Sequence, residues 1–141
     1  MDTTAIVMER PEQLALRRIG LLEPHDDDVV VDVEWSGIST GTEKLLWSGR
    51  MPSFPGMGYP LVPGYEAVGH VIEAGERSGR HVGDPVFVGG AHCFPDVHCL
   101  FGSSARQLVV PAERAGFGWQ VVDSVGWPAD RLGAAIGGEG R

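Results

Sequence analysis

The residues able to do chemistry are concentrated between Trp35 and Gly75. A strand ending in Trp35-Ser36 gives way to a hydroxyl-rich turn (Ser36, Ser39, Thr40, Thr42) and then to the polar-to-apolar segment Glu43-Lys44-Leu45-Leu46-Trp47. A loop of glycine, proline, methionine and aromatic residues follows from Met51 to Pro60. It delivers Pro63-Gly64-Tyr65-Glu66, where a new strand begins. Hydroxyls, a phenol and a carboxylate are groups that hydrogen-bond and pass protons. Glycines at 37, 41, 49, 56, 58 and 64 let such a loop close tightly around a bound group.

Two other clusters carry weaker signals. His92-Cys93 and His98-Cys99 offer nitrogen and sulfur, but their spacing lacks the two-residue separations of structural zinc sites, so a loop between strands is expected there. Gly133 to Gly140 (GAAIGGEG) glances at a dinucleotide fingerprint, yet its glycine spacing is wrong and no strand precedes it.

The elements that must position the central residues read mostly as strands. Thr3 to Met8 and Gln13 to Arg18 form a first β-hairpin, Leu21 to Asp27 a linker. In Asp28 to Ser36, Val29, Val31, Val33 and Trp35 alternate with Asp28, Val30, Asp32 and Glu34, which predicts one buried face and one mostly wet face. Ala67 to Ala74 is the next strand, and Gly69 within it predicts a bulge or the close approach of another backbone. Val86 to Val88 and Ala105 to Pro111 complete the set. Short strands broken by Gly/Pro turns make this a mainly β chain, a small β-barrel or bent open sheet.

From about Glu113 the texture changes to Gly, Ala and Arg without strand or helix period. Domain organisation is therefore read as 1–112 for the β domain and 113–141 for a loosely ordered tail. The 141 residues favour one domain, and 43% hydrophobic content suffices for its core. A net charge of −8 disfavours a nucleic-acid partner, which needs clustered Lys or Arg, and the run Asp26-Asp27-Asp28 is expected to solvate a turn. No stretch approaches the roughly 18 to 20 apolar residues of a membrane span, and no secretion signal opens the chain. Two cysteines suit a reducing compartment, so a cytoplasmic location is expected.

Gly37-Ile38-Ser39, Pro63-Gly64-Tyr65-Glu66-Ala67-Val68-Gly69, Val71-Ile72-Glu73-Ala74-Gly75 and Val82-Gly83-Asp84-Pro85-Val86 together resemble the N-terminal, GroES-like catalytic domain of medium-chain dehydrogenases/reductases. Within that stretch, Gly37 to Pro52 (GISTGTEKLLWSGRMP) and Phe54 to Glu66 (FPGMGYPLVPGYE) are closely similar to the 3-hydroxyethyl bacteriochlorophyllide a dehydrogenase (BchC) family. The resemblance runs from Met1 to about Pro111. It implies a GroES-like small β-barrel with short helices, and an enzyme that turns a side-chain alcohol into an acetyl group with NAD as hydride acceptor. The family's Rossmann domain, which supplies the NAD site, is not matched, so no cofactor-binding residue is assigned.

In zinc-dependent relatives a cysteine and a histidine bind the metal at the places held here by Ser39 and Tyr65. A hydroxyl and a phenol are poor zinc ligands, so the resemblance implies no catalytic zinc and no metal residue. Alcohol oxidation still requires the hydroxyl proton to leave. The resemblance assigns Tyr65 as proton relay, Ser39 as its hydrogen-bond partner and Glu66 as support, with Lys44 or Arg50 the cation that would lower the phenol's pKa. The plainer alternative is a Tyr satisfied by a backbone carbonyl. Thr42, Lys44, Phe54, Met57 and Tyr59 are the expected substrate contacts, because thioethers and rings stack on a flat bacteriochlorophyllide-type macrocycle. A surface loop pinned by prolines is the alternative for that segment.

The chain is thus expected to be the front part of a longer dehydrogenase, inactive as it stands, with a reading-frame change near Glu113 as the favoured origin of the tail. The alternatives are a non-catalytic pigment- or partner-binding module, or part of another zinc-free quinone or enoyl reductase.

Overall fold

The computed structural model describes residues 1–117. Two antiparallel-dominated sheets curl against each other around one valine-rich core. The first runs β2-β1-β4-β7 and the second β8-β3-β5-β6-β9. Strands β1 (Asp2–Arg10) and β2 (Gln13–Gly20) form the hairpin read from the sequence, in register from Asp2↔Gly20. The central pair is β3 (Asp28–Ser36) with β5 (Ala67–Ala74). Around it lie β4 (Leu61–Pro63), β6 (Pro85–Val88), β7 (His98–Leu100), β8 (Gln107–Pro111) and β9 (Ala115–Phe117). A bridge between Ala5 and Ala105, with the Ile6 amide donating to the Ser104 carbonyl at 2.9 Å, stitches the two sheets into a half-barrel.

Val29, Val30 and Val31 are all fully buried, although Val30 was expected on the wet face. The register of β3 against β5 slips between Val30 and Val31, which breaks the alternation there, and all three valines belong to the one core cluster. Alternation fails again at Trp35, expected inside but 64% exposed. The register slips between Val33 and Trp35 against Gly69 and Val68, and the extra residue on β3 turns the side chains after it over. Gly69 is the close approach anticipated from the sequence: a Cβ there would lie 3.0 Å from the Cα of Val33 and overlap the carbonyl of Asp32.

Three elements differ from expectation. Glu43 to Trp47 belongs to a helix, α1 (Thr40–Ser48), pinned by buried Leu46 and ended by Gly49 in the left-handed conformation at φ 73°. Instead of only solvating its turn, the acidic run receives Arg77, which reaches Asp26 at 2.8 Å and Asp27 at 3.1 Å and holds the Asp27 carboxyl below the ordinary carboxylate range. These pairs are exposed and add little stability. Pairing also runs past the boundary set at residue 112: after a 3-10 turn, Ala112–Arg114, strand β9 pairs with β6 and Ala115 is fully buried. The rest of the expected tail, including Gly133 to Gly140, lies outside the described residues. Among those described, no helix is long and apolar enough to cross a membrane.

Candidate active site

Topology alone brings the chemistry together. Because β3 and β5 run antiparallel with Ser36 opposite Ala67, the residues leaving β3 and those entering β5 share one end of the sheet. The Gly37 amide donates to the Glu66 carbonyl at 2.6 Å and clamps the two ends. Three residues after β3, Ser39 caps α1; two residues before β5 stands Tyr65. The Tyr65 hydroxyl donates to Ser39 Oγ at 2.5 Å across 26 positions of sequence.

The turn carrying Tyr65 is itself held rigidly. Gly102, Ser103 and Ser104 amides donate to the carbonyls of Val62, Gly64 and Pro63 at 3.0 Å each. Gly64 sits at φ 97°, where a Cβ would crowd the Ser104 amide at 3.1 Å, so a side chain would be both strained and unplaced. The Tyr65 ring meets Phe101 edge-on, with centroids 5.5 Å apart at 81°. The phenol is thus aimed by packing and by backbone, and its one recorded hydrogen bond goes to Ser39 and not to a carbonyl.

Glu66 stands beside this pair. Its Cβ would lie 3.1 Å from a Cβ at Gly37, so the bare glycine makes room for the carboxylate. Among the described residues no hydrogen bond or ion pair joins Lys44 or Arg50 directly to Tyr65.

The five expected substrate contacts divide. Thr42 is half-buried on α1, Lys44 is exposed on the same helix, and Phe54 is 37% exposed on the loop. Met57 and Tyr59 pack instead against a second small core of Met8, Leu46, Leu61 and Leu100. The Tyr59 hydroxyl donates to the Leu46 carbonyl, and burial pushes its pKa up. It is therefore Tyr59, and not Tyr65, that shows the plainer pattern of a tyrosine satisfied by a carbonyl.

One titratable residue escaped the sequence reading. Glu43, in the first turn of α1, is only 8% exposed, and its Oε2 finds no hydrogen-bond partner. Burial pushes its carboxyl up, opposed by its own and the Ser39 backbone and reinforced by the charge of Glu66. A helix position next to an N-cap reads as ordinary dipole complementarity, so nothing in the sequence distinguished it. An acid whose folded pKa is raised binds its proton more tightly folded than unfolded. Stability is then greatest below the ordinary glutamate range and declines as pH rises through that range towards the raised value. Glu43→Gln should accordingly melt higher than the wild type near neutral pH, with the gap closing on acidification. Equal melting differences at acid and neutral pH would show that Glu43 carries no such burden.

In the His-Cys dipeptides the thiols turn inward and lie near each other, Cys99 packing against the core that holds Cys93. His92 is exposed while Cys93 is 1% exposed, its thiol pushed up to about 12 by burial. His98 begins β7, which pairs with β4, so part of the expected loop is a strand. Among the described residues, no group of three or more His, Cys, Asp or Glu side chains could hold a metal ion. Ser39 and Tyr65, bonded to each other through oxygen, are a donor set that does not fit zinc. Nor do the described residues contain a strand, glycine turn and helix of the kind that cradles a dinucleotide.

Comparison with known proteins agrees with this architecture. The chain is 52% identical over 120 residues to the 2-desacetyl-2-hydroxyethyl bacteriochlorophyllide A dehydrogenase of Cereibacter sphaeroides, covering 82% of this chain and 38% of that one. It is 50% identical over 115 residues to the enzyme of the same name from Rhodobacter capsulatus, covering 81% and 37%. It thus spans less than two-fifths of the length of these relatives. A solved structure of a short chain alcohol dehydrogenase from E. coli, complexed with NADH, superposes with a TM-score of 0.63 at 25% identity, covering 86% of this chain and 42% of that one. The alcohol dehydrogenase GroES-like domain family matches residues 25–132, past the point where the resemblance was expected to fade. With a family match over most of its length and the curled sheets to go with it, the chain belongs to the alcohol dehydrogenase GroES-like domain family.

Proposed function

We propose that this chain is the alcohol-handling part of an NAD-dependent, zinc-free dehydrogenase that oxidises the hydroxyethyl side chain of a bacteriochlorophyllide to an acetyl group. The observation that carries the reading is the Tyr65 to Ser39 hydrogen bond, made at the places where zinc-dependent relatives present metal ligands. NAD, when bound, accepts the hydride. The residues described here handle the proton: Tyr65 takes it from the substrate hydroxyl while giving up its own phenolic proton towards the neighbouring Glu66 carboxylate, and Ser39 orients the phenol. Thr42, Lys44 and Phe54 border the substrate, and Met57 and Tyr59 support the loop behind it. A pigment-pathway enzyme of this kind works in the cytoplasm, where Cys93 and Cys99 stay as free thiols.

The relatives' names support the substrate class, and the high identity to them is greater than to any general alcohol dehydrogenase reported above. The test is a chimera in which residues 1–117 replace the corresponding segment of the Cereibacter sphaeroides relative. Oxidation of the hydroxyethyl pigment, read as NADH formation with no added zinc and with a chelator present, is the expected result. A chimera that folds but oxidises only after zinc is supplied would overturn the metal-free reading. One that folds and never oxidises pigment would overturn the substrate.

A further inference from the structure

Phe101, whose ring meets Tyr65, also lines a cavity of about 270 Å³ together with Gly89, Gly90, His92 and Arg114. The sheet explains why these residues meet. Val88 of β6 pairs with Ala115 of β9, so the next residue along each antiparallel strand, Gly89 on one and Arg114 on the other, comes to the mouth of the cavity. The Ala91 amide donates to the Phe101 carbonyl at 2.8 Å and draws the two-glycine stretch against that ring. Gly90 offers no side chain to fill the space; a Cβ there would lie 3.1 Å from the Phe101 carbonyl oxygen.

The charge of this cavity runs against that of the chain. In a protein of net charge −8, the ionisable residues lining it among those described are Arg114 and His92, both exposed. Among the described residues neither makes an ion pair or a hydrogen bond. The neighbouring acid, Glu113, lines a separate cavity with Arg77 and Arg80, so among the described residues Arg114 has no carboxylate partner. An unpaired guanidinium over an aromatic wall, with bare backbone opposite, is suited to a planar anion that it can grip through two parallel hydrogen bonds. The volume admits an acidic side arm but not a whole macrocycle.

We propose that this cavity holds a carboxylate of the substrate, bound by Arg114 with His92 at its side, so that the attached ring is fixed against Phe101 and over Tyr65. The inference rests on the pigment reading above and deepens it: a bacteriochlorophyllide is a free acid, whereas the esterified pigment has no such charge to offer. Arg114 is on this account a specificity-determining residue, which selects the acid over its ester before any chemistry takes place.

Binding to the chain itself provides the test, followed by the shift of the pigment's absorption bands on titration with the bacteriochlorophyllide and with its methyl ester. The wild type should bind the acid about tenfold or more tighter than the ester, as expected for a charge-assisted contact. In Arg114→Gln that preference should shrink to about twofold or less, with the affinity for the ester unchanged, and Arg114→Lys should retain part of it. Far-ultraviolet circular dichroism of each variant establishes that exposed residue 114 can be changed without loss of fold. Equal affinity for acid and ester, or a preference that survives Arg114→Gln, overturns the carboxylate site and leaves the pigment reading standing. Displacement by inorganic pyrophosphate with no acid preference assigns the cavity to a phosphate and likewise overturns it. Failure of both pigments to bind overturns the substrate reading and this inference together.

Discussion

Tyr65→Phe, built into the chimera described above, is expected to lower pigment oxidation by about a hundredfold or more, the usual range for removing a positioned proton-transfer group. The substitution is narrow. Phenylalanine keeps the ring and therefore the edge-on contact with Phe101, and the surrounding amides of Gly102, Ser103 and Ser104 do not touch the hydroxyl. What disappears is the bond to Ser39 Oγ, worth about 1 kcal/mol of stability at most. The melting temperature should move little while kcat collapses. Ser39→Ala should do less, because the phenol survives and only its orientation is loosened. Measurement of kcat and KM for both variants, beside their melting curves, separates a chemical role from a structural one. A Tyr65→Phe enzyme within about threefold of wild type would remove Tyr65 from the mechanism, since so small a change falls below any proton-transfer contribution.

A large loss of stability is expected of Gly69→Ala. A methyl group there overlaps the Asp32 carbonyl and stands 2.9 Å from its carbon, and both obstacles are backbone of the paired strand. Relief would require β3 and β5 to separate at the slip in their register, in the middle of the five-stranded sheet. Overpacking of this kind costs about 1–3 kcal/mol, and for a domain of this size that lowers the melting temperature by something on the order of 10 °C. Gly41→Ala is the contrasting control. Nothing lies within 4 Å of a Cβ at Gly41, and its place in the first turn of α1 suits alanine, so stability should hold or rise slightly. Thermal unfolding of the two variants checks both statements, and a Gly69→Ala protein as stable as wild type would mean that the strands part more readily than their contacts imply.

Strands β1, β2, β3 and β5 were legible because each is long enough to show period and is bounded by turn residues. Strands β4, β7 and β9 have three residues each, too short for any alternation, and they form only where a neighbouring strand offers a free edge. Helix α1 was hidden for a different reason: it buries only Glu43 and Leu46, so no apolar stripe marks it. Trp35 was misplaced because a register slip is set by the partner strand and leaves no trace in the strand that bulges. At the site, the meeting of Ser39 with Tyr65 followed from the family resemblance and not from spacing, since 26 residues separate them. Glu43 looked like a surface acid, and Arg114 stood beyond the expected edge of the domain, where no pattern pointed to it.

The loop from Met51 to Pro60 is not a free strap of chain. Tyr59 ties it to the Leu46 carbonyl, while Met51, Met57 and the Tyr59 ring sink into the small second core beside the helix. The anchored ends of the loop are therefore settled during folding, before any ligand arrives, while Pro52 to Gly56 stay exposed. A flat partner meeting this wall finds it already pre-organised, and the entropy of arranging it is not charged against the encounter.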